Sequence, residues 1–183
     1  MRTDKEMNEI TVGEREPHNA HVFLQEYTPE WRRLYEQEAA WINRALADRV
    51  KLLEHTGSTS VEGLPAKPVI DIVLEVEDAA DEAAYVPPLE QAGFRLHIRE
   101  PDWYEHRLFK SSRTDVNLHV FSQGEEETKR MIAFRDRLRS SEDDRERYAA
   151  EKRRLAAKKW RHIQDYADEK TAVIQSILTG AAR

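Results

Sequence analysis

The run Val69-Ile-Asp-Ile-Val-Leu-Glu-Val76 constrains this chain more than any other eight residues. Branched aliphatic residues dominate it, so the spacing predicts a strand inside a sheet rather than at its edge. Asp71 interrupts that pattern. Strand alternation sets it opposite Ile70 and Ile72, in company with Val73 and Glu75. A carboxylate in so apolar a strand is costly to bury alone, so it must hold a metal, accept hydrogen bonds or lie at the strand's wet end. Whatever surrounds this strand has to give Asp71 a polar neighbourhood.

The remaining pattern supplies the rest of an α+β fold. Residues 1–19 are polar and aperiodic and read as a mobile arm, leaving residues 20–183 as one domain. Val22, Phe23, Leu24 and Tyr27 suggest a short strand, and Thr28-Pro29-Glu30 a helix start. Trp31, Leu34, Tyr35, Ile42, Ala45 and Leu46 then form one apolar stripe on a helix running to about Asp48. Val50–His55 reads as a strand. Ala79–Ala92 reads as a helix broken at Pro87-Pro88 and capped by Gly93. Phe94, Leu96 and Ile98 alternate with polar residues, as do Val116, Leu118 and Val120, with a shorter strand at Arg107–Lys110 between them. From Glu125 the period becomes helical, with stripes through Met131, Phe134 and Leu138, through Tyr148, Leu155 and Ala156, and through Tyr166, Val173, Ile174, Ile177 and Leu178. Ser141 with Asp144 resembles a capping box. Those stripes are too narrow for an independent bundle, so the helical third is expected to cover the sheet.

Composition narrows the chemistry. The chain has no cysteine, which excludes disulfides, thiolate metal sites and thiol nucleophiles. Its 29 Lys and Arg against 35 Asp and Glu give a net charge of −6, which argues against nucleic-acid binding by charge alone. The basic residues of Lys129–Arg161 alternate with acids at helical spacing and read as a solvated face. No run is long and apolar enough to span a bilayer and the charged start lacks a secretory apolar region, so a cytoplasmic protein without a membrane partner is expected.

One stretch points to ligand chemistry. Upstream of Asp71 a strand ends at His55 and runs into Gly57-Ser58-Thr59-Ser60, where a flexible residue, three hydroxyls and backbone N–H groups would cradle a phosphate at a helix start. Each element also has an ordinary reading, as a turn and a helix cap. A hydroxyl-rich turn followed one strand later by an acid on an apolar strand is the more specific combination. Lys67 stands at the strand's start, where it would meet a phosphate or simply be solvated. Trp103-Tyr104-Glu105-His106-Arg107 would stack a base, grip an anion or close the sheet edge. Glu54 and His55 are further candidates.

The run EHTGSTSVEGLPAKPVIDIVLEV, the later REPDWYEHRLFK and DVNLHVF, and the tail with MIAFRDRLR and QDYADEK resemble the GrpB family of bacterial proteins, over about residues 21–180. That family is also similar to the domain fused C-terminally to some dephospho-coenzyme A kinases. The resemblance implies membership of the nucleotidyltransferase superfamily and a polymerase-beta-like fold, a mixed sheet covered by helices with a helical C-terminal third. It implies that Gly57 and Ser58, with the hydroxyls of Thr59 and Ser60 beside them in the same turn, bind phosphates of a nucleotide or another phosphorylated small molecule. Asp71 matches the first acid of the superfamily's Asp-x-Asp pair, and His119 would join it as metal ligand and catalytic residue, with Lys67 and Arg107 offsetting phosphate charge. The implied cofactor is a divalent metal ion, magnesium or manganese, with zinc as a third choice. The second acid is missing: Val73 occupies its position, and Glu75 lies about 13 Å from Asp71 at roughly 3.3 Å per residue, too far to share an ion. Metal-assisted nucleotidyl or phosphoryl transfer is therefore one expectation, and a catalytically degenerate nucleotide- or metabolite-binding module the other.

Overall fold

The structure, a computed structural model, describes residues 3–13, 23–158 and 169–180. Five strands, β1 (Leu52–Thr56), β2 (Ile70–Val76), β3 (Phe94–Glu100), β4 (His106–Ser111) and β5 (Val116–Ser122), form one mixed sheet in the order β1-β2-β5-β4-β3. β2 runs parallel to β5 and antiparallel to β1, and β4 is antiparallel to both β5 and β3. The branched run around Asp71 is thus an interior strand, as its composition requires.

The described helices are α1 (Asp4–Ile10), α2 (Glu30–Leu46), α3 (Glu82–Gln91), α4 (Glu126–Ser140), α5 (Glu142–Ala156) and α6 (Thr171–Leu178). α2 and α3 cover one side of the sheet. There Trp31, Ile42 and Leu46 of α2 and Tyr85 and Leu89 of α3 join Ile70, Ile72, Leu74, Val116, Leu118, Val120 and Phe109 in the main core. The other side meets the helical third. Arg135 of α4 donates to Glu54 Oε2 at 2.6 Å and to the His55 carbonyl at 2.9 Å, and Arg139 donates to the Ser60 carbonyl at 2.9 Å. Leu138, Tyr148, Ala149 and Ile177 share a second core with Val61 and Leu64 from the loop after β1. The helices bury their stripes against the sheet's own loop, as narrow stripes demand. Ser141 Oγ accepts from the Asp144 N–H, so it caps α5 as its sequence suggests. The stripe through Tyr166 falls outside the described residues at that position.

Four local expectations change. Residues 22–27 do not make a strand within their described part: Gln25 alone pairs, with Ala66, because Pro65 and Pro68 flank that partner and prevent a longer ladder. α3 runs unbroken through Pro87 and Pro88, held by buried Tyr85 and Leu89, and it ends with Gly93 at φ +87°. Within the polar arm, residues 4–10 are helical behind a Thr3–Glu6 capping box, a Thr-x-x-Glu signal legible in the sequence. Beyond that helix Thr11 bridges to Ile98, and the Val12 N–H reaches the His97 carbonyl at 2.8 Å. β3, finally, carries a register shift between Leu96 and Ile98. Leu96 pairs with Phe109 on the apolar side, whereas Ile98 pairs with Leu108 and Glu100 with His106 on the other. Simple alternation sets Leu96, Ile98 and Glu100 on one face; the bulge moves the last two across.

Candidate functional site

Strand pairing assembles the site on the side of the sheet that faces the helical third. Asp71 lies between Thr56 of β1 and Asn117 of β5, and His119 follows two residues along β5, beside buried Val73. Partners in register share a face, so Asp71, Asn117 and His119 point the same way. Asn117 Nδ2 donates to Asp71 Oδ1 at 2.8 Å, and Lys110 Nζ donates to Asn117 Oδ1 at 2.5 Å. His119 Nε2 stands 3.9 Å from Asp71 Oδ1, too far for a hydrogen bond. The Asp71 side chain keeps 27% of its surface exposed, so it is open to a ligand.

Ammonium groups converge on this carboxylate. Burial pushes Lys67 below its ordinary pKa against the pull of Asp115 and Asp71, with Lys110 close enough to add to the fall. Burial also brings Lys170 down to about 8, with Asp71 opposing the shift and Lys67 reinforcing it. Lys152, buried in α5, gives its ammonium to the Pro65 carbonyl, and burial together with Lys170 takes its pKa well down. For Asp71 itself, burial acts upward but is outweighed by His119, Asn117 and Lys170, and the carboxyl falls below its usual range.

The turn before β2 wraps around Asp71. Gly57 has φ +64° and ψ −174°, a backbone region essentially reserved for glycine. A Cβ there would lie 2.3 Å from Asp71 Oδ2, so this glycine is required by close approach to the acid. The helix expected after it is a single 3₁₀ turn, Ser58–Ser60. Two of its hydroxyls are committed to the protein: Thr59 Oγ1 donates to the Val69 carbonyl at 3.1 Å, and Ser60 Oγ to the Gly57 carbonyl at 2.6 Å. Their burial makes Thr59 and Ser60 structural, contrary to the expectation that they contact phosphate. Ser58, half-buried, has no side-chain partner among the described residues and stays available.

Arg107 also departs from its expected role. It pairs with Val120 in register, on the α2/α3 side, and its guanidinium is held by Glu82 at 2.6 Å and by the Glu105 carbonyl at 2.9 Å. Alternation along β4 sends Arg107 away from the face that receives His106, Leu108 and Lys110. His55 likewise faces α2, stacked on Tyr35 at 4.7 Å and 3.1 Å from Thr59 Oγ1, and burial holds its pKa at about 4. Glu54 is ion-paired with Arg135.

Alternation along β5 already set Asn117 on one face with His119, whereas Lys110, Lys170 and Glu100 were not selected as site members. Alternation along β4 was the available signal for Lys110; none existed for Lys170, which arrives from the far end of the chain. Among the described residues no group of three His, Asp or Glu side chains is arranged to hold a metal ion. Asp71 and His119 are a pair of potential donors, one oxygen and one imidazole. No described helix is long and apolar enough to cross a membrane.

Comparison with known proteins agrees with the fold. The GrpB protein family matches residues 21–179. A UPF0157 protein of Halalkalibacterium halodurans is 54% identical over 98% of this chain and 92% of its own length. Another UPF0157 protein, from Streptomyces coelicolor, is 40% identical over 100% of this chain and 95% of its own. The crystal structure of conserved protein GrpB from Enterococcus faecalis superposes with a TM-score of 0.72 at 28% identity, covering 87% of this chain and 96% of that one. The chain belongs to the GrpB family.

Proposed function

Proceeding from that membership, we propose that the protein binds a nucleotide or another phosphorylated small molecule over the Asp71–Asn117–His119 face, as a relative of the nucleotidyltransferases. The observation that carries this reading is the gathering of Lys67, Lys170 and, through Asn117, Lys110 beside the partly exposed Asp71 and its neighbour Asp115. Three ammonium groups beside two acids, Asp71 and Asp115, suit a polyanionic partner. Ser58 supports it with a free hydroxyl at the rim.

Asp71 and His119 offer two donors, which would serve one divalent cation only with phosphate oxygens and water completing its shell, and not two. Val73 stands fully buried where a second acid would be, and Glu75 is spent on the Gly124 N–H at 3.0 Å. A mixed oxygen and imidazole pair suits manganese or zinc better than magnesium. Asp71 and His119 would hold the ion, which would supply Lewis-acid stabilisation of phosphate charge during nucleotidyl or phosphoryl transfer. The protein's own contribution is to fix Asp71 through Asn117 and to neutralise phosphate with lysines. The missing second acid favours a binding module without turnover as the second reading.

Thermal shift with nucleoside triphosphates, and with inorganic phosphate and sugar phosphates, in the presence of manganese, zinc or magnesium tests both. A ligand of the folded state raises the melting temperature by mass action. Ser58→Ala should reduce the shift and Lys110→Met should reduce it further. No shift from any phosphorylated compound would end the proposal; a shift without pyrophosphate or phosphate release would select the binding module.

A further inference from the structure

Behind His119 the sheet holds a buried chain of polar groups that the phosphate-binding reading does not use. Glu100 Oε2 lies 2.7 Å from His106 Nδ1, and His106 Nε2 lies 3.0 Å from His119 Nδ1. Glu100 and His106 are 7% and 3% exposed, while the His119 side chain is 22% exposed and reaches the Asp71 face. His106 is clamped by aromatic rings, Trp103 edge-on at 5.1 Å and Phe121 stacked at 4.9 Å, and its own ring stacks on His119 at 5.2 Å.

With Glu100 ionised and both imidazoles neutral, the hydrogen bonds of this chain admit one arrangement. The Glu100 carboxylate only accepts, so His106 Nδ1 carries the proton it receives. With its Nδ1–H given to Glu100, a neutral His106 keeps a lone pair on Nε2. His119 Nδ1 must then be the donor to it. In the neutral ring Nε2 is then the unprotonated nitrogen, and it faces Asp71 Oδ1 across 3.9 Å. Asp71 Oδ1 accepts its hydrogen bond from Asn117 Nδ2 instead.

We infer that Glu100 and His106 are positioning residues that lock His119 in its Nδ1–H tautomer and so present the Nε2 lone pair beside Asp71. An imidazole oriented through a carboxylate is the arrangement that raises basicity toward zinc-type cations. The assignment deepens the proposed function, since it rests on the Asp71 face being the ligand site, and it narrows the cation to one that accepts nitrogen. It also gives the bulge in β3 a purpose: without it Glu100 would face the apolar core.

Nitrogen-15 NMR of the full-length, metal-free protein reads the tautomer directly. Wild type should show a pyrrole-type Nδ1 and a pyridine-type Nε2 at His119 at neutral pH. Glu100→Gln, whose amide can donate as well as accept, should mix the tautomers, and His106→Phe, which keeps the ring packing, should remove the lock. Calorimetric titration with zinc should show affinity reduced by roughly 10- to 100-fold in both variants, with magnesium unaffected. A wild-type His119 that carries its proton on Nε2 overturns the assignment, as does unchanged zinc affinity in both folded variants. A correct tautomer that responds to Glu100→Gln while zinc fails to bind the wild type would uphold the lock and defeat the cation site of the proposed function.

Discussion

The two faces of this sheet are made by the same five strands and share almost no chemistry. On the α2/α3 side, Ile70, Ile72, Leu74, Leu118, Val120 and Phe109 are sealed against helices. On the α4–α6 side the alternate residues of the same strands are Asp71, Asn117, His119, His106 and Lys110, linked by hydrogen bonds or set side by side. The difference shows a division of labour. Apolar contacts on one side carry enough stability for a carboxylate, two imidazoles and several ammonium groups to be held half-dehydrated on the other.

The sharpest way to break this comparison is to attack the sealed face. Phe109→Ala, at a fully buried ring that meets Tyr85 at 6.1 Å, should destabilise by about 3–5 kcal/mol in urea unfolding. A value under about 1 kcal/mol would place the stability elsewhere.

Next in size is a pH effect within the same face. His55 has a folded pKa of about 4 against an ordinary 6.5, with burial as the main cause. Its unfolded form therefore binds more protons between those values, so its contribution is fully present above pH 6.5 and is lost as pH falls toward 4. The loss should approach about 3 kcal/mol at most. His55→Phe, which keeps a ring on Tyr35, should flatten that part of the stability profile; an unchanged slope would assign it to other groups.

The seam between the two regions is Gly57. Gly57→Ala forces a Cβ against Asp71 at a positive φ and should destabilise by roughly 1–3 kcal/mol. Replacing Asp71 by glycine in the same chain should relieve part of that loss, and a purely additive double-mutant cycle would show that the clash is not with Asp71.

The smallest stability effect belongs to the polar face itself. Asp71→Asn keeps an oxygen for the Asn117 amide and should change folding by less than about 1 kcal/mol, while it removes the metal-dependent part of any nucleotide-induced thermal shift. A large loss of stability with binding intact would make Asp71 a structural acid.

Much of this was written in local pattern. The branched run predicted an interior strand, alternation set Asp71 on the polar row of its strand, and Gly93 marked the end of α3. Local pattern also misled where neighbours mattered. Nothing in Pro87-Pro88 announces that Tyr85 and Leu89 anchor an unbroken helix, and the turn's three hydroxyls look equally free until two of them are found satisfied by the Val69 and Gly57 carbonyls.

The sequence by itself determined which residues alternate, and therefore that a polar row would run beside an apolar one on β2 and β5. Pairing then decided what that row could do. Arg107 was sent to Glu82 by the register of β4, and Lys170 was brought to Asp71 by a helix nearly a hundred residues downstream. Glu100 was moved to His106 by one extra residue in β3. Side-chain period is a property of a strand read alone, but register, bulges and helix docking are set by the free energy of the whole core, and no window of sequence contains that sum.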